Sequence, residues 1–539
     1  MAPHHEEDTK PTADFIEYPD PDKDNAGPPM PQKGVDAEQA ALYRAFEAKD
    51  EEWHHYMKKK LMRKVDWHLL PLLILMYLLN FLDRSNLAQA RLGTIEEDLN
   101  MTGTDYNLAT SILFVGYLLM QIPSNLLLTR IRPSMYLGIC MAIWGAISAA
   151  QAATHSFGGL VAARFMLGFA EAPFFAGAVF LMSSWYTRAE LAHRISRFYA
   201  GSALANAFGG LLGAGCLGNL HMAHGIAGWR WLFIIEGVIT VGVALVAAVV
   251  LPDYPANTRW LTDEERSYAQ WRLVDDTGEA DDASASSVLE GVKLAMRDPK
   301  LYVFTLLQHA SLLTQTFQYF FPTVVETLGY GNIETLLITA PVWIVTFLVG
   351  LLVTWTSGRT GDRSIHIMCL SMISCVGNII CIATLNVNAR FFAIFLMPVS
   401  SQPTHSILNH PSRVLTHHVN RKQMGAVAGY QIIITWVANS FPRPLVKRSA
   451  CISFANMVGN SANIYGPYMY PSSSGPRYIP GGGATAGTAL FVTVLAFVIR
   501  IVLARDNKRM EEREVEDAEG VAARAGTGET RAVGFRYIL

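Results

Sequence analysis

The amino-acid sequence predicts an all-α membrane protein, with twelve transmembrane helices in two six-helix bundles. Three observations lead there. Of the 539 residues 51% are hydrophobic and only 16% charged, a composition typical of polytopic helical membrane proteins. Apolar windows of about twenty residues, the length that crosses a hydrocarbon core as a helix, recur in two sets of six. Between the sets lies one long charged stretch, Pro252 to Lys300.

Residues 1 to about 35 are polar, acidic and proline-bearing, bury too little apolar surface to fold, and read as a disordered tail. They contain no apolar h-region, so the expectation is that no signal peptide is cleaved and that the first span directs insertion. From Asp36 the sequence turns helix-friendly and ends in Lys58, Lys59, Lys60, Arg63 and Lys64, a cluster that places the N-terminus in the cytoplasm. Residues 1–64 are therefore expected to form a cytoplasmic tail and a basic juxtamembrane helix. The N-terminal bundle, 65–251, holds spans near 66–90, 107–128, 134–153, 160–184, 196–217 and 231–251. A cytoplasmic linker follows at 252–300, carrying WLTDEER and the acidic DDTGEADDASASS. The C-terminal bundle, 301–504, holds spans near 301–325, 336–356, 366–386, 391–438 (interrupted), 450–470 and 486–504, and 505–539 form a second cytoplasmic tail. Loop cations agree with both ends inside. The inner loops hold Arg130, Arg132, Arg188, Arg194, Arg359, Arg363, Arg443, Lys447 and Arg448. The outer loops after the second span hold only Arg230, Arg390 and Arg477.

The tenth span is broken. Phe391 to Pro398 and the apolar run from Met424 together make one span, and neither crosses alone. Between them, Val399 to Gln423 carries cations, histidines and prolines, and reads as an insertion into the helix, with the character of retained untranslated sequence. Its histidines are too irregularly spaced for a metal site.

The stretch Leu160 to Tyr186, LVAARFMLGFAEAPFFAGAVFLMSSWY, is a span by composition that still contains Arg164 and Glu171. A charge inside hydrocarbon costs several kcal/mol, roughly 2.5 to 3.5 on insertion scales, and is usually kept facing a cavity or a partner. Seven residues are nearly two helical turns, so Arg164, Gly168 and Glu171 share one face. A structural salt bridge and a transport site both fit this pattern.

In the first span the run Leu69 to Leu82 is only fourteen residues long, so the helix must continue through Asp83, Arg84, Ser85, Asn86, Leu87, Ala88 and Gln89. At 1.5 Å per residue Asp83 lies roughly 25 Å from the inner end of its helix, and Glu171 and Arg164 roughly 20 and 30 Å from theirs. The four charges are expected to share one layer, two arginines balancing two carboxylates. Protonating a carboxylate there frees an arginine to bind an anion.

Other polar residues carry weaker signals. Glu236 lies near the start of the sixth span, close enough to reach the interface. His309, Gln315, Gln318 and Tyr319 on the seventh span, and Asn456, Asn460 and Asn463 on the eleventh, recur at helical spacing and serve either as a ligand surface or as interhelical glue. Gly209 and Gly213 read as close-packing positions, and Asn100-Met101-Thr102 is an acceptor sequon.

Near-balanced charge, 43 Lys+Arg against 45 Asp+Glu, gives no reason to expect a nucleic-acid partner. The six cysteines (Cys140, Cys216, Cys369, Cys375, Cys381 and Cys451) show neither CxxC nor metal-ligand spacing and read as lipid-buried or core thiols. The sequence lacks GxxxxGK[ST], GxSxG and HExxH, so neither an enzyme nor a metal or cofactor is expected.

These residues identify a family. The six-plus-six plan, RFMLG on the fourth span and GRTGDR at Gly358 to Arg363 resemble the major facilitator superfamily. Gly358, Asp362 and Arg363 match its GxxxDR loop motif, while the first-half loop, LLLTRIRPS, departs from it. NFLDRSN, QIPSNLLLTR, RFMLGFAEAPFFAG, WYTRAELAHR, GWRWLFIIEG, WLTDEER and RYIPGG look like the fungal allantoate permease branch of the anion:cation symporters, over about 66–504. The resemblance implies proton-coupled uptake of a small organic anion, such as allantoate, nicotinate or pantothenate, by alternating access, with substrate near the midplane. It implies a monomer in the plasma membrane. It also implies roles: Arg84 as carboxylate clamp, Asp83 and Glu171 as proton carriers, and Arg164 as the partner sensing their charge. By their helical spacing Gln315, Tyr319 and Asn456 are the residues expected to contribute to substrate binding from the second bundle. A proton-driven exporter of drugs or metabolites is the rival; such exporters carry a glycine-proline motif on the fifth span, and GGLLGAG lacks the proline. A non-transporting nutrient sensor is a third class, usually marked by a large cytoplasmic appendage. Departure from the branch at Val399 to Gln423 puts the tenth helix in question.

Overall fold

A computed structural model describes residues 42–43, 45–128, 131–258, 260–278, 288–360, 362, 364–398, 433, 436–437, 440–441 and 445–518. The first forty-one residues, the interval 399–423 read as an insertion, and the end of the C-terminal tail lie outside the described residues. The chain divides into two compact units, Met1–His54 and His55–Leu539. The second holds every polar span residue singled out above.

Described secondary structure is entirely helical, and a helix falls in each of the twelve windows. In chain order these are α1 (Glu51–Ala90), α2 (Asp105–Leu128), α3 (Pro133–Ala150), α4 (Phe157–Ser183), α5 (Arg188–Asn219), α6 (Gly228–Val250), α7 (Pro299–Gln315), α8 (Asn332–Thr360), α9 (Ser364–Ala383), α10 (Val387–Leu396), α11 (Leu445–Asn460) and α12 (Ile479–Ala518). Among the described residues eight helices are long and apolar enough to cross a membrane. The seventh and eleventh windows are completed by short helices, Phe321–Glu326 after α7 and Ala462–Tyr465 after α11. Most of the tenth window beyond α10 lies outside the described residues.

Four of the helices begin where the sequence offers an acceptor for their first free N–H groups. Ser156 accepts from Gly159 N at 3.3 Å to start α4, Asp298 from Lys300 N at 3.1 Å to start α7, and Asn386 from Ala389 N at 3.2 Å to start α10. Thr187 and Glu190 form a capping box at α5.

In the first half α4 packs on α2 and α3, and α3 on α6; in the second, α7 packs on α11 and α12, and α9 on α10 and α12. The halves meet where α5 lies along α8 and where Ala462–Tyr465 lies against α2. Small residues permit the closest of these crossings. A side chain added at Gly168 would collide with the Leu113 carbonyl, and one at Gly210 with Thr339 and the Leu336 carbonyl. With lipid as apolar as the side chains, such backbone proximity supplies the packing that a hydrophobic drive cannot.

The linker is fastened to the first half. Trp260 of WLTDEER stacks on His68 and on Trp185, at ring-centroid distances of 4.3 and 5.7 Å. Glu265 takes Lys64 at 2.7 Å and Lys60 at 3.2 Å, so part of the basic cluster before the first span is bound by the linker helix Asp263–Gly278. Arg272 on that helix donates to both Glu190 oxygens at 2.6 Å, and Lys58 lies 3.1 Å from the same carboxylate. Burial alone would raise the Glu190 carboxyl; Arg272 and Lys58 outweigh it and hold the group below the usual carboxylate range.

Candidate functional site

α1 does not stop where its apolar run ends. It continues to Ala90, and Asp83, Ser85, Asn86 and Gln89 are all buried along the way. Successive residues on a helix point about 100° apart, so Asp83 and Arg84 face different neighbours. Asp83, with no exposed surface, accepts from Ser148 Oγ of α3 at 2.6 Å and from Thr240 Oγ1 of α6 at 3.2 Å. Arg84 turns to α4, where its Nε donates to Glu171 Oε2 at 2.6 Å. The guanidinium carbon lies 4.8 Å from the Tyr117 ring centre and 5.7 Å from that of Phe81, within reach of a cation–π attraction. Glu171 is fully buried while the Arg84 side chain keeps 12% exposure, so the cation is the more accessible member of the pair.

Arg164 departs from the expectation of two arginines balancing two carboxylates. It is 1% exposed and donates to main-chain carbonyls: Asp83 and Arg84 at 3.3 Å and Ala109 at 3.4 Å. The reason is axial distance. Seven residues put Arg164 and Glu171 on one face of α4 but about 10.5 Å apart along it, and Arg84, reaching over from α1, takes the carboxylate instead. The four charges resolve into one ion pair, one carboxylate held by hydroxyls and one arginine held by carbonyls. Glu171 Oε1 is left without a hydrogen-bond partner among the described residues, with the Asn80 amide nearby but not in bonding geometry.

Glu236 does not reach an interface either. It is 1% exposed because α6 begins at Gly228 and carries it inward to face Asp83.

From the second half Tyr319 comes close to both arginines. Its carbonyl accepts from Tyr106 Oη at 2.6 Å, and its ring meets Phe114 edge-on at 5.8 Å. Gln315 Nε2 is buried and has no hydrogen-bond partner among the described residues. Asn456 is tied along its own helix, its carbonyl and Oδ1 accepting from Asn460 Nδ2 at 2.9 and 3.1 Å. His309 bonds the Val458 carbonyl at 2.8 Å and the Tyr465 hydroxyl, joining α7 to the end of α11. Among the described residues no cluster of histidine, cysteine and carboxylate groups has the makeup of a metal site.

The loop motif lies far from this group. Gly358 is in the last turn of α8, Arg363 lies outside the described residues, and Asp362 caps α9, accepting from Ile365 N at 3.1 Å, Ser364 Oγ at 3.0 Å and Arg500 of α12. Burial would raise the Asp362 carboxyl, but Arg500 and these donors hold it below its usual range. The first half, whose loop departs from the motif, finds an acid elsewhere: Asp253, just past α6, accepts from Ser134 N at 3.0 Å and from its hydroxyl at the start of α3. Each half thus has a carboxylate at the start of its third helix, and only one belongs to the motif.

Ser148, Thr240, Tyr117 and Asp253 were not singled out from the sequence. A serine or threonine inside a span is common and usually bonds its own helix, so these hydroxyls carried no signal until a buried carboxylate stood opposite.

The Major Facilitator Superfamily model matches residues 73–467. The MFS-type transporter cnsO of Penicillium expansum is 32% identical over 503 residues, covering 89% of this chain and 91% of that protein. The major facilitator-type transporter hxnP of Emericella nidulans is 30% identical, with 89% and 93% covered. Among solved structures, a bacterial homologue of the human lysosomal transporter Spinster, in an inward-facing and unoccupied conformation, superposes with a TM-score of 0.57 at 16% identity, over 79% of this chain and 95% of its own, a likeness of fold. The chain is an integral membrane transporter and belongs to the Major Facilitator Superfamily.

Proposed function

We propose that this transporter couples proton entry to uptake of a small organic anion, with the linker on the cytoplasmic side and the plasma membrane as its location. The observation that carries the reading is the Arg84–Glu171 pair: a fully buried carboxylate bound to an arginine that keeps some exposure and is backed by Tyr117 and Tyr319. A proton on Glu171 removes the charge that holds Arg84. The guanidinium, always cationic, then offers its planar fork to a carboxylate ligand. Proton and anion binding thereby favour each other, as symport requires. Arg164, fixed by carbonyls of α1 and α2, keeps positive charge beside the site in either state. The allantoate permease branch, and carboxylates such as allantoate, nicotinate or pantothenate, are the substrate class this reading favours, and a monomer suffices for it.

The test is accumulation of labelled anions in fungal cells lacking their own carboxylate permeases, at pH 5 and pH 7. The chain is expressed with and without residues 399–423. Faster uptake at pH 5, lost in Arg84→Ala and Glu171→Gln, supports the reading. Outward movement of the compounds instead overturns it in favour of an exporter.

A further inference from the structure

We propose that Glu236 and Asp83 form a second proton-binding site, in which carboxyl groups from α6 and α1 share protons apart from the Arg84–Glu171 pair. Glu236 is 1% exposed, and neither of its oxygens has a hydrogen-bond partner among the described residues. Buried polar atoms are nearly always bonded, and an unbonded pair on one carboxyl calls for an explanation. An ionised carboxylate so placed, with no cation beside it and the Asn86 amide near but out of hydrogen-bonding geometry, would be a costly arrangement in a protein interior. A protonated one needs no counter-ion.

The surroundings give the proton somewhere to go. From α1, Asp83 and Asn86 face Glu236; from α5, Cys216 does; α3 contributes the uncharged Ser148 and Trp144 beside Asp83. Among the described residues Asp83 is the one charged group acting on it, and it is of like sign; Asp83 in turn faces a carboxylate and a cation of α4, Glu171 and Arg164. Two buried carboxyls that face each other cannot both ionise cheaply, so protons bind to them as a pair. Asn86 has both amide atoms unpaired next to Glu236, a donor and an acceptor idle where the carboxyl's protonation changes which of the two it needs. A side chain at Gly237 would strike the Ala149 backbone, so α6 is pressed against α3 beside the carboxyl.

The Arg84–Glu171 pair is different in kind, since it holds its negative charge against a cation. In the second site one bound proton leaves the two carboxyls with a single negative charge and a second proton makes them neutral; no other bond forms or breaks. Because Asp83 also accepts from Ser148 and Thr240, its state is felt by α3 and α6 together. Protonation there loosens the tie between α1 and those helices. The role in transport rests on the proposed proton coupling; the existence of the site does not.

Infrared difference spectroscopy on the purified full chain in lipid nanodiscs tests the site directly. A pH step in H2O and in D2O reads the carbonyl stretch of protonated carboxylic acids. In the wild type, a protonated-acid band that shifts in D2O is expected. Glu236→Gln, which keeps the shape and removes the acid, is expected to lose one component of it. Asp83→Asn is expected to remove the Asp83 component and to move that of Glu236 along the pH axis. The amide I band certifies that each variant retains its helices, and Glu236→Asp provides a second acid at the position should the amide variant fail to assemble. An acid band unchanged by both Glu236 variants overturns the proposal whether or not the protein transports an anion. Uptake supplies the independent arm. Loss of uptake in Arg84→Ala with Glu236's band intact bears on the ion pair alone. In Glu236→Gln a flattened pH profile is the expected result. Lowered uptake with an unaltered profile assigns Glu236 a structural role and overturns its part in coupling.

Discussion

Arg84 Nε and Glu171 Oε2 lie 2.6 Å apart across the contact of α1 with α4, while Asp83, the residue before the arginine, is turned to hydroxyls on α3 and α6. One helix thus delivers two neighbouring charges to two separate environments. Removing either partner of the ion pair leaves the other buried and unmatched, at a cost of about 3 to 5 kcal/mol. Arg84→Ala is therefore expected to lower the apparent melting temperature as well as abolish uptake. Arg84→Lys is expected to restore part of the stability and little of the uptake, because an ammonium lacks the planar fork. Fluorescence-detected size exclusion after heating, run beside uptake, separates the two effects; full uptake by Arg84→Lys would remove the guanidinium from the binding model.

The linker clamp makes its own prediction. Arg272→Ala strips the bidentate donor from a Glu190 that is 7% exposed, and is expected to destabilise the protein by about 3 kcal/mol, with Lys58 recovering part of the loss. The pH dependence follows in sign. The Glu190 carboxyl is depressed by Arg272 and Lys58, so its contribution is fully present above the ordinary Glu value near 4.3 and is lost as pH falls through the lowered one. The melting-temperature gap between wild type and Arg272→Ala should be constant from pH 8 to about pH 5 and close below that. A gap that widens on acidification would contradict the assignment.

Much of this was legible in the sequence, for stated reasons. Twelve windows were readable because a helix must satisfy its own backbone in lipid, which leaves hydropathy as an almost complete signal. That Asp83 and Arg84 lie inside a span followed from the shortness of Leu69 to Leu82. Partners were not legible. Arg164 and Glu171 share a face by periodicity, yet which cation takes Glu171 depends on how far α1 slides along α4, a quantity absent from either helix's own sequence. The sign of the lysine cluster at 58–64 marks topology, whereas its partners are out of sight in the sequence: Lys60 and Lys64 also grip Glu265, about 200 residues away. Glu236 shows that closeness to a helix end is not closeness to the interface: its helix starts at Gly228, and the carboxyl is 1% exposed.

Gly168 lies between Arg164 and Glu171, where α4 crosses α2 so closely that an added Cβ would strike the Leu113 carbonyl. Backbone cannot yield as a flexible side chain does. Gly168→Ala is expected to cost about 1 to 3 kcal/mol by overpacking and to displace the helix carrying both charges. Gly158→Ala on the same helix meets nothing within 4 Å and serves as the control. Expression and melting temperature of the two variants decide the matter, and equal behaviour would mean the crossing is looser than its geometry.

On the side opposite the linker the two halves are tied by hydrogen bonds from Tyr106 Oη to the Tyr319 carbonyl at 2.6 Å and from Asn332 Nδ2 to the Leu92 carbonyl at 2.6 Å. Both bonds must break if that side opens, so each biases the protein toward the closed arrangement. Tyr106→Phe deletes one donor and keeps the ring. A net hydrogen bond is worth about 1 kcal/mol, which corresponds to roughly a fivefold change in the open-to-closed ratio. The change can be read with Thr335→Cys, a position with no exposed surface near the start of α8, in a background whose native cysteines are replaced. Its modification by a membrane-impermeant maleimide is expected to accelerate by about that factor when Tyr106→Phe is added, since the rate follows the open fraction. An unchanged rate would mean that the Tyr106–Tyr319 bond does not govern closure, and that Asn332 with the surrounding packing holds the side shut.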